Sequence, residues 1–201
     1  MSHLVAAEER PLRADARRNR EKVLEAARYV FSENGREAQM DDVARRAGVG
    51  VGTVYRHFPT KEALIEALML AAFHSIAAEA ERALKEIEDP WEAFATVVRH
   101  GAEVMSADRA MSEVFASIPG VAESAVPTID GLRATTEALI RRAQEAGALR
   151  PDAIVDDIPM LMCGIGSATK KEHRCPDAWR RHLSIVLDGL RASAAGSRLP
   201  E

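Results

Sequence analysis

Apolar residues recur along this chain at intervals of three and four, the period of a helix with one buried face, and strict alternation is almost absent. Residues 15–34 put Val23, Leu24, Ala27, Val30 and Phe31 on one side, and Asn34-Gly35 is a stop that tolerates the left-handed conformation after a helix end. Two short helices follow at 40–47 and 51–57, joined by Gly48-Val49-Gly50. Phe58-Pro59-Thr60 breaks the second, and Thr60 is placed to cap a long helix from Lys61 to about Glu88, with Leu64, Leu68, Ala71, Ala72, Ile76 and Leu84 as its stripe. Asp89-Pro90-Trp91-Glu92 restarts the pattern with a capping residue, a first-turn proline and a capping-box glutamate. That helix runs to about Ser106, and others are predicted at 108–117, 128–146, 152–171 and 176–193. Pro159 kinks the penultimate one or moves its start to Asp156 or Asp157. The pattern predicts an all-α chain of about nine helices. It divides into a basic disordered arm at 1–14, a compact three-helix segment at 15–60, a larger helical segment at 61–195 and a frayed tail at 196–201.

Composition agrees with the helical reading: 36 of the 201 residues are alanine and only 4% are aromatic. The longest runs without a charged residue, 67–78 and 158–169, are well short of the ~18–20 residues of a spanning helix. No basic segment followed by an apolar core opens the chain, and Cys163 and Cys175 cannot build a disulfide framework. A cytoplasmic protein with no membrane partner is expected. The net charge of −4 hides an asymmetry: residues 1–60 hold eleven Lys and Arg against nine Asp and Glu, and the remainder is acidic. Arg10, Arg13, Arg17, Arg18, Arg20, Lys22 and Arg28 crowd one stretch, which hints at a polyanion contact confined to one end. A solvated arm explains the same charges.

The two short helices and their glycine turn, over about 39–58, have the spacing of a helix-turn-helix, with Val43, Ala47, Val49, Val54 and Phe58 able to form its core. On spacing alone, a plain hairpin in a helical bundle is an equal reading. The run Asp42-Val43-Ala44-Arg45-Arg46-Ala47-Gly48-Val49-Gly50-Val51-Gly52-Thr53-Val54-Tyr55-Arg56-His57-Phe58, then Thr60-Lys61-Glu62-Ala63-Leu64, separates them. It strongly resembles the signature I-A-x-x-A-G-V-S-x-G-T-L-Y-x-H-F-x-x-K-x-x-L of the tetracycline-repressor (TetR) family. Phe31-Ser32-Glu33-Asn34-Gly35 resembles the end of that family's first helix, so the likeness covers about residues 15–70.

The resemblance implies a DNA-binding helix-turn-helix domain followed by a helical domain that binds an effector and dimerises. Thr53, Tyr55 and His57 match positions that commonly touch DNA, and Lys61 matches a lysine that usually reaches a phosphate. Val51 and Arg56 occupy variable recognition positions, where Arg56 can fork onto a guanine, and Arg45 is grouped with them. Two departures stand out. Gln39-Met40 replaces the usual Thr or Ser cap of the second helix, and Gly50 and Gly52 flank Val51, leaving few side chains to read bases. The implied function is a homodimeric transcriptional regulator on double-stranded operator DNA, a repressor released by a small molecule, with no cofactor and no catalysis. Its alternatives are an activator or ligand-independent regulator, and a helical ligand- or metal-binding dimer that does not bind DNA.

Met69, Phe73, Met105, Met111, Phe115, Met160 and Met162 are candidates for an adaptable apolar pocket, although methionine at helical spacing is more often plain core. The last two helices are the most apolar pair. Ile158, Leu161, Ile165, Trp179, Leu183, Val186, Leu187 and Leu190 are therefore expected in a dimer bundle, against the plainer reading of intrachain core. His100 with Glu103, and His173, Cys175 and His182, match no metal spacing, so no metal site is assigned. Cys175 precedes a helix start where thiolate is favoured, a weak redox signal.

Overall fold

The computed structural model describes residues 5–107, 122–167 and 178–199. Among these, eight α-helices carry almost all regular structure: α1 (Val5–Asn34), α2 (Met40–Ala47), α3 (Val51–His57), α4 (Lys61–Glu86), α5 (Pro90–Ala107), α6 (Ala122–Glu145), α7 (Asp157–Ser167) and α8 (Ala178–Leu190). Single 3-10 turns follow α1 and α8, and Leu149 and Arg191 form an isolated antiparallel bridge. The fold is all-α, as the periodicity predicts. The helix expected at 108–117 lies outside the described residues.

Helix ends follow the local chemistry read from the sequence. Gly48, at φ 67°, closes α2, and Gly35 and Gly147 also take positive φ at helix ends. The Ala63 N–H donates to Thr60 Oγ1 at 3.1 Å, capping α4, and the Glu92 N–H donates to Asp89 Oδ1 at 2.8 Å, capping α5. Glu92 spends its own carboxylate on Arg99 (2.9 Å). At the far end of α4, Arg142 of α6 donates to the carbonyls of Leu84, Ile87 and Glu88, which a helix C-terminus otherwise leaves bare.

The chain divides into two compact units, Met1–Leu68 and Met69–Glu201. The division falls within α4, whose first two turns belong to the first unit, rather than at its start. In the first unit α1 packs on α2 and α3. Its apolar face is buried as the period predicts, with Val23, Leu24, Ala27, Val30 and Phe31 all inside. In the second unit α5 is central, packing against α6, α7 and α8. A core of Ala80, Ala83, Ala93, Val97 and Leu139 lets α4, α5 and α6 approach closely.

Three boundaries differ from expectation. α1 begins at Val5, inside the segment expected as a disordered arm: Ala6, Ala7, Glu8 and Glu9 are strong helix formers, and the helix carries Pro11 at the cost of one backbone bond. α6 begins at Ala122 and likewise carries Pro127. The tail is not frayed through Leu199. Arg150, itself buried, donates to the Ser197 carbonyl (2.7 Å), and Asp152 Oδ2 accepts from the Leu199 N–H (2.7 Å). α7, by contrast, starts at Asp157, one of the two starts that Pro159 predicts, which leaves Pro159 in the first turn, where a missing N–H costs little.

α4 is the one helix among the described residues long and apolar enough to cross a membrane by length and composition. An uncharged run is a stricter measure, and Glu66 and Glu79 bound it here. Leu64, Ile65, Leu68, Met69, Ala72, Ala80 and Ala83 on this helix are buried, the use a core helix makes of such a stripe.

Candidate functional site

The hairpin of α2 and α3 is held by its backbone and by a small apolar core. At the turn the Gly48 N–H donates to Arg45 O and the Val49 N–H to Ala44 O (3.1 Å), and the Thr53 N–H donates to Gly50 O at 2.8 Å to open α3. Val43, Val54 and Phe58 are fully inside, while Ala47 and Val49 are half-buried. This inward set leaves Val51, Gly52, Tyr55 and Arg56 exposed at i, i+1, i+4 and i+5, one side of a helix. Val51 is 41% and Tyr55 47% exposed, large for apolar side chains with no partner to cover them. Thr53 and His57 flank this side, half-buried. A Cβ added at Gly50 or Gly52 would meet nothing within 4 Å, so the backbone of α3 begins on an open surface.

The cations around this hairpin are partly engaged. Arg45 is exposed and pairs with Asp42 three residues back, a surface contact that gives way easily. The Lys61 ammonium stands 5.7 Å from the centre of the Phe31 ring. Two stacks had no sequence signal, because they join residues far apart in the chain: Arg46 lies on Tyr29 at 3.2 Å, and Arg20 on Phe58 at 5.2 Å. Gln39 makes no side-chain cap to α2 and donates instead to the Glu37 carbonyl at 2.8 Å, so the weak cap expected from its chemistry is what forms.

The second unit encloses a cavity of about 260 Å³ between α4, α5, α6 and α7. Phe73, Met105 and Met162 line it, as the sequence proposes. Met69 is buried but does not line it, and Met160 is 74% exposed on the outside of α7. Met111 and Phe115 lie outside the described residues. Sequence reasoning missed Arg133 and Thr136, which bring the wall its polar atoms. Thr136 Oγ1 donates to the Leu132 carbonyl (2.8 Å). Arg133 forks onto both oxygens of Asp156, the second contact at 3.1 Å, and its Nε stands 3.3 Å from Glu137. These hydrogen bonds hold the Asp156 carboxyl below the usual carboxylate range and raise the guanidinium further.

The residues expected at a dimer interface are mostly used within the chain. Ile165, Trp179, Leu183, Leu187 and Leu190 are buried in the single chain, and Ile158, Leu161 and Val186 are half-buried, Ile158 on the cavity wall. The stripe exists as read, but α5 packs against both α7 and α8 and covers it. The large apolar side chains that the two helices leave outward are Met160 and Ile185, the latter 62% exposed, near exposed Gly164 and Gly189. His100 Nε2 stands 2.9 Å from Ser75 Oγ, and no group of three His, Cys, Asp or Glu among the described residues is placed to hold a metal. His173 and Cys175 lie outside the described residues.

The comparisons with known proteins agree with this division. Residues 23–68 match the family model of bacterial regulatory proteins, tetR family, and residues 89–192 match the transcriptional regulator SbtR-like C-terminal domain. The chain is 38% identical over 82 residues to the transcriptional regulator UidR of Escherichia coli, a match covering 40% of this chain and only 38% of that protein's length. It is 30% identical over 150 residues to the transcriptional repressor KstR of Mycolicibacterium smegmatis, covering 73% of this chain and 74% of KstR. A TetR regulatory protein solved from Mycobacterium vanbaalenii is similar at 37% identity and a TM-score of 0.65, over 90% of this chain and 99% of that one. With an exposed side on α3 in the first unit, an apolar cavity in the second and a family match over each, the chain is a member of the TetR family of bacterial transcriptional regulators.

Proposed function

We propose that this protein is a homodimeric, DNA-binding repressor that a small molecule releases from a roughly palindromic operator. One observation carries the reading. The hairpin keeps its apolar core inside and still leaves Val51, Tyr55 and Arg56 together on an open side of α3, where only a partner rewards their exposure. In this reading Arg56 and Val51 face base edges, Thr53, Tyr55, His57 and Lys61 hold the backbone, and Arg45 exchanges Asp42 for a phosphate. The cavity is the effector site, with Phe73, Met105 and Met162 as its adaptable wall. KstR, a relative at 30% identity, is named a repressor, which supports that sign of regulation.

Dimerisation is assigned to the outward face of α7 and α8, around Met160 and Ile185, in place of the buried residues of the same helices. The protein acts in the cytoplasm, where its DNA is, and catalyses no reaction. Electrophoretic mobility shift with the DNA upstream of its own coding sequence, at two salt concentrations, tests the proposal. A retarded band that competitor operator removes and random DNA does not is expected. Equal competition by random DNA at both salts would leave a helical ligand-binding dimer as the better reading.

A further inference from the structure

The wall of the cavity holds one ionisable side chain among the described residues, Arg133, and its charge is already answered. Both terminal nitrogens meet the Asp156 carboxylate, Nε faces Glu137, and Asp130 lies within electrostatic reach as a third acid. The guanidinium is about half exposed, so this cluster stands where the cavity meets solvent. Three acids around one base make the entrance net negative. An anion reaching for Arg133 must displace a bidentate partner and then face Asp156, Glu137 and Asp130, like charges at a half-exposed entrance where solvent screens them only in part. A cation drawn to the entrance fares no better inside, where no carboxylate lines the wall and desolvation goes uncompensated. Thr136, the other polar side chain, gives its hydroxyl hydrogen to the Leu132 carbonyl, so it offers an anion no donor. The rest of the wall is aliphatic, aromatic or thioether.

We infer that the cavity takes an uncharged, chiefly apolar molecule, and that the Arg133–Asp156 pair rejects otherwise similar carboxylates and sulfonates. This rests on reading the cavity as the effector site and adds the chemical class of the effector. The volume, about 260 Å³, suits a compact ring system or a short chain.

Two fluorescent dyes that differ by one sulfonate test it on the full chain. N-phenylnaphthylamine is neutral, and anilinonaphthalene sulfonate is its anionic counterpart. The neutral dye should bind roughly tenfold or more tightly than the sulfonate. Asp156→Asn should narrow that gap by strengthening sulfonate binding, since it removes one acid and loosens the fork on Arg133. Gly101→Leu, whose added side chain starts 3.5 Å from Met162 Sδ, should fill the cavity and weaken the neutral dye. Phe73→Trp serves the same end should Gly101→Leu not fold. Sulfonate binding that equals the neutral dye and ignores Asp156→Asn would overturn the selection by charge while leaving the cavity as a binding site. No binding of either dye, or binding untouched by both cavity-filling variants, would overturn the inference together with the effector site. DNA is absent from this assay, so a failure of the DNA-binding reading registers in the mobility shift and not here.

Discussion

At the scale of single residues, two kinds of side chain around the hairpin should behave differently. In the proposed reading Lys61 and Tyr55 meet the DNA backbone, which carries no sequence information, whereas Arg56, exposed on α3 with Val51, meets base edges. Lys61→Ala should weaken binding to all sequences and reduce the salt slope by about one, and Tyr55→Ala should weaken binding uniformly. Arg56→Ala should instead relax sequence preference, by about 1–3 kcal/mol at one base pair. Titrations of each variant against operator and random duplexes at several salts separate these, and equal losses on both duplexes for Arg56→Ala would make it a phosphate contact. Asp152 gives a prediction in pH. Arg150 first, and the Leu199 N–H second, hold its carboxyl well below the usual range. A carboxyl whose folded pKa is depressed adds stability above its unfolded value of about 3.9 and loses it as pH falls toward the folded value. Asp152→Asn should therefore lower Tm at pH 7, and its gap from wild type should close as pH drops below about 4. A gap that stays constant through that range would take the charge out of the tether.

At the scale of elements, α3 and α8 each offer a contrast between faces. Gly52 sits in the first turn of α3 without a positive φ and with open space where a Cβ would be. Gly52→Ala should stabilise the protein by about 0.5–1 kcal/mol in a denaturant melt, since alanine loses less entropy in a helix. The same variant should lose operator affinity if the α3 backbone approaches DNA closely, and unchanged affinity would argue that it does not. On α8, Ile185 faces outward and Leu187 inward. Ile185→Asp should yield a folded monomer, by light scattering and far-ultraviolet circular dichroism, because it puts a charge on the proposed partner surface alone. Leu187→Ala should keep the dimer but cost about 2–5 kcal/mol of folding stability, the usual penalty for emptying a core site. Dimers of unchanged strength for Ile185→Asp would move the interface elsewhere.

At the scale of the whole molecule, α4 is one helix that contributes to both units. If an effector in the cavity changes operator affinity, the linkage must be reciprocal, and operator must change effector affinity by the same factor. Only a difference in effector affinity between DNA-competent and incompetent states can drive release. Phe73→Ala removes a cavity wall without touching α2 or α3, so it should blunt the response to effector and leave effector-free operator affinity nearly unchanged. Calorimetric titration of effector with and without saturating operator measures the factor directly. Identical affinities in the two titrations would make the protein a constitutive regulator.

Local order in the chain sets most of the helices, their caps and the inside of the hairpin. Those depend on neighbours in the chain: Thr60 meets Ala63, Asp89 meets Glu92, and Val43, Val54 and Phe58 fall inward because the helical period is short-range. The family signature added the roles proposed for Thr53, Tyr55 and Lys61, since physical patterning alone left the hairpin equal to a plain one in a bundle. Of the five pocket candidates among the described residues, Phe73, Met105 and Met162 lie on the wall and Met69 and Met160 do not. Which partner each apolar stripe meets is settled by packing between distant helices. Periodicity says that Trp179, Leu183 and Leu187 share a face, but whether α5 or a second chain covers that face depends on packing between distant helices. The same holds for charge. Arg133 on Asp156, Arg46 on Tyr29 and Arg150 reaching the Ser197 carbonyl join residues separated by a turn or a helix, and no local spacing encodes such contacts. The tail looked free because its residues lack a helical pattern. It is held because folding brings Arg150 and Asp152 to it.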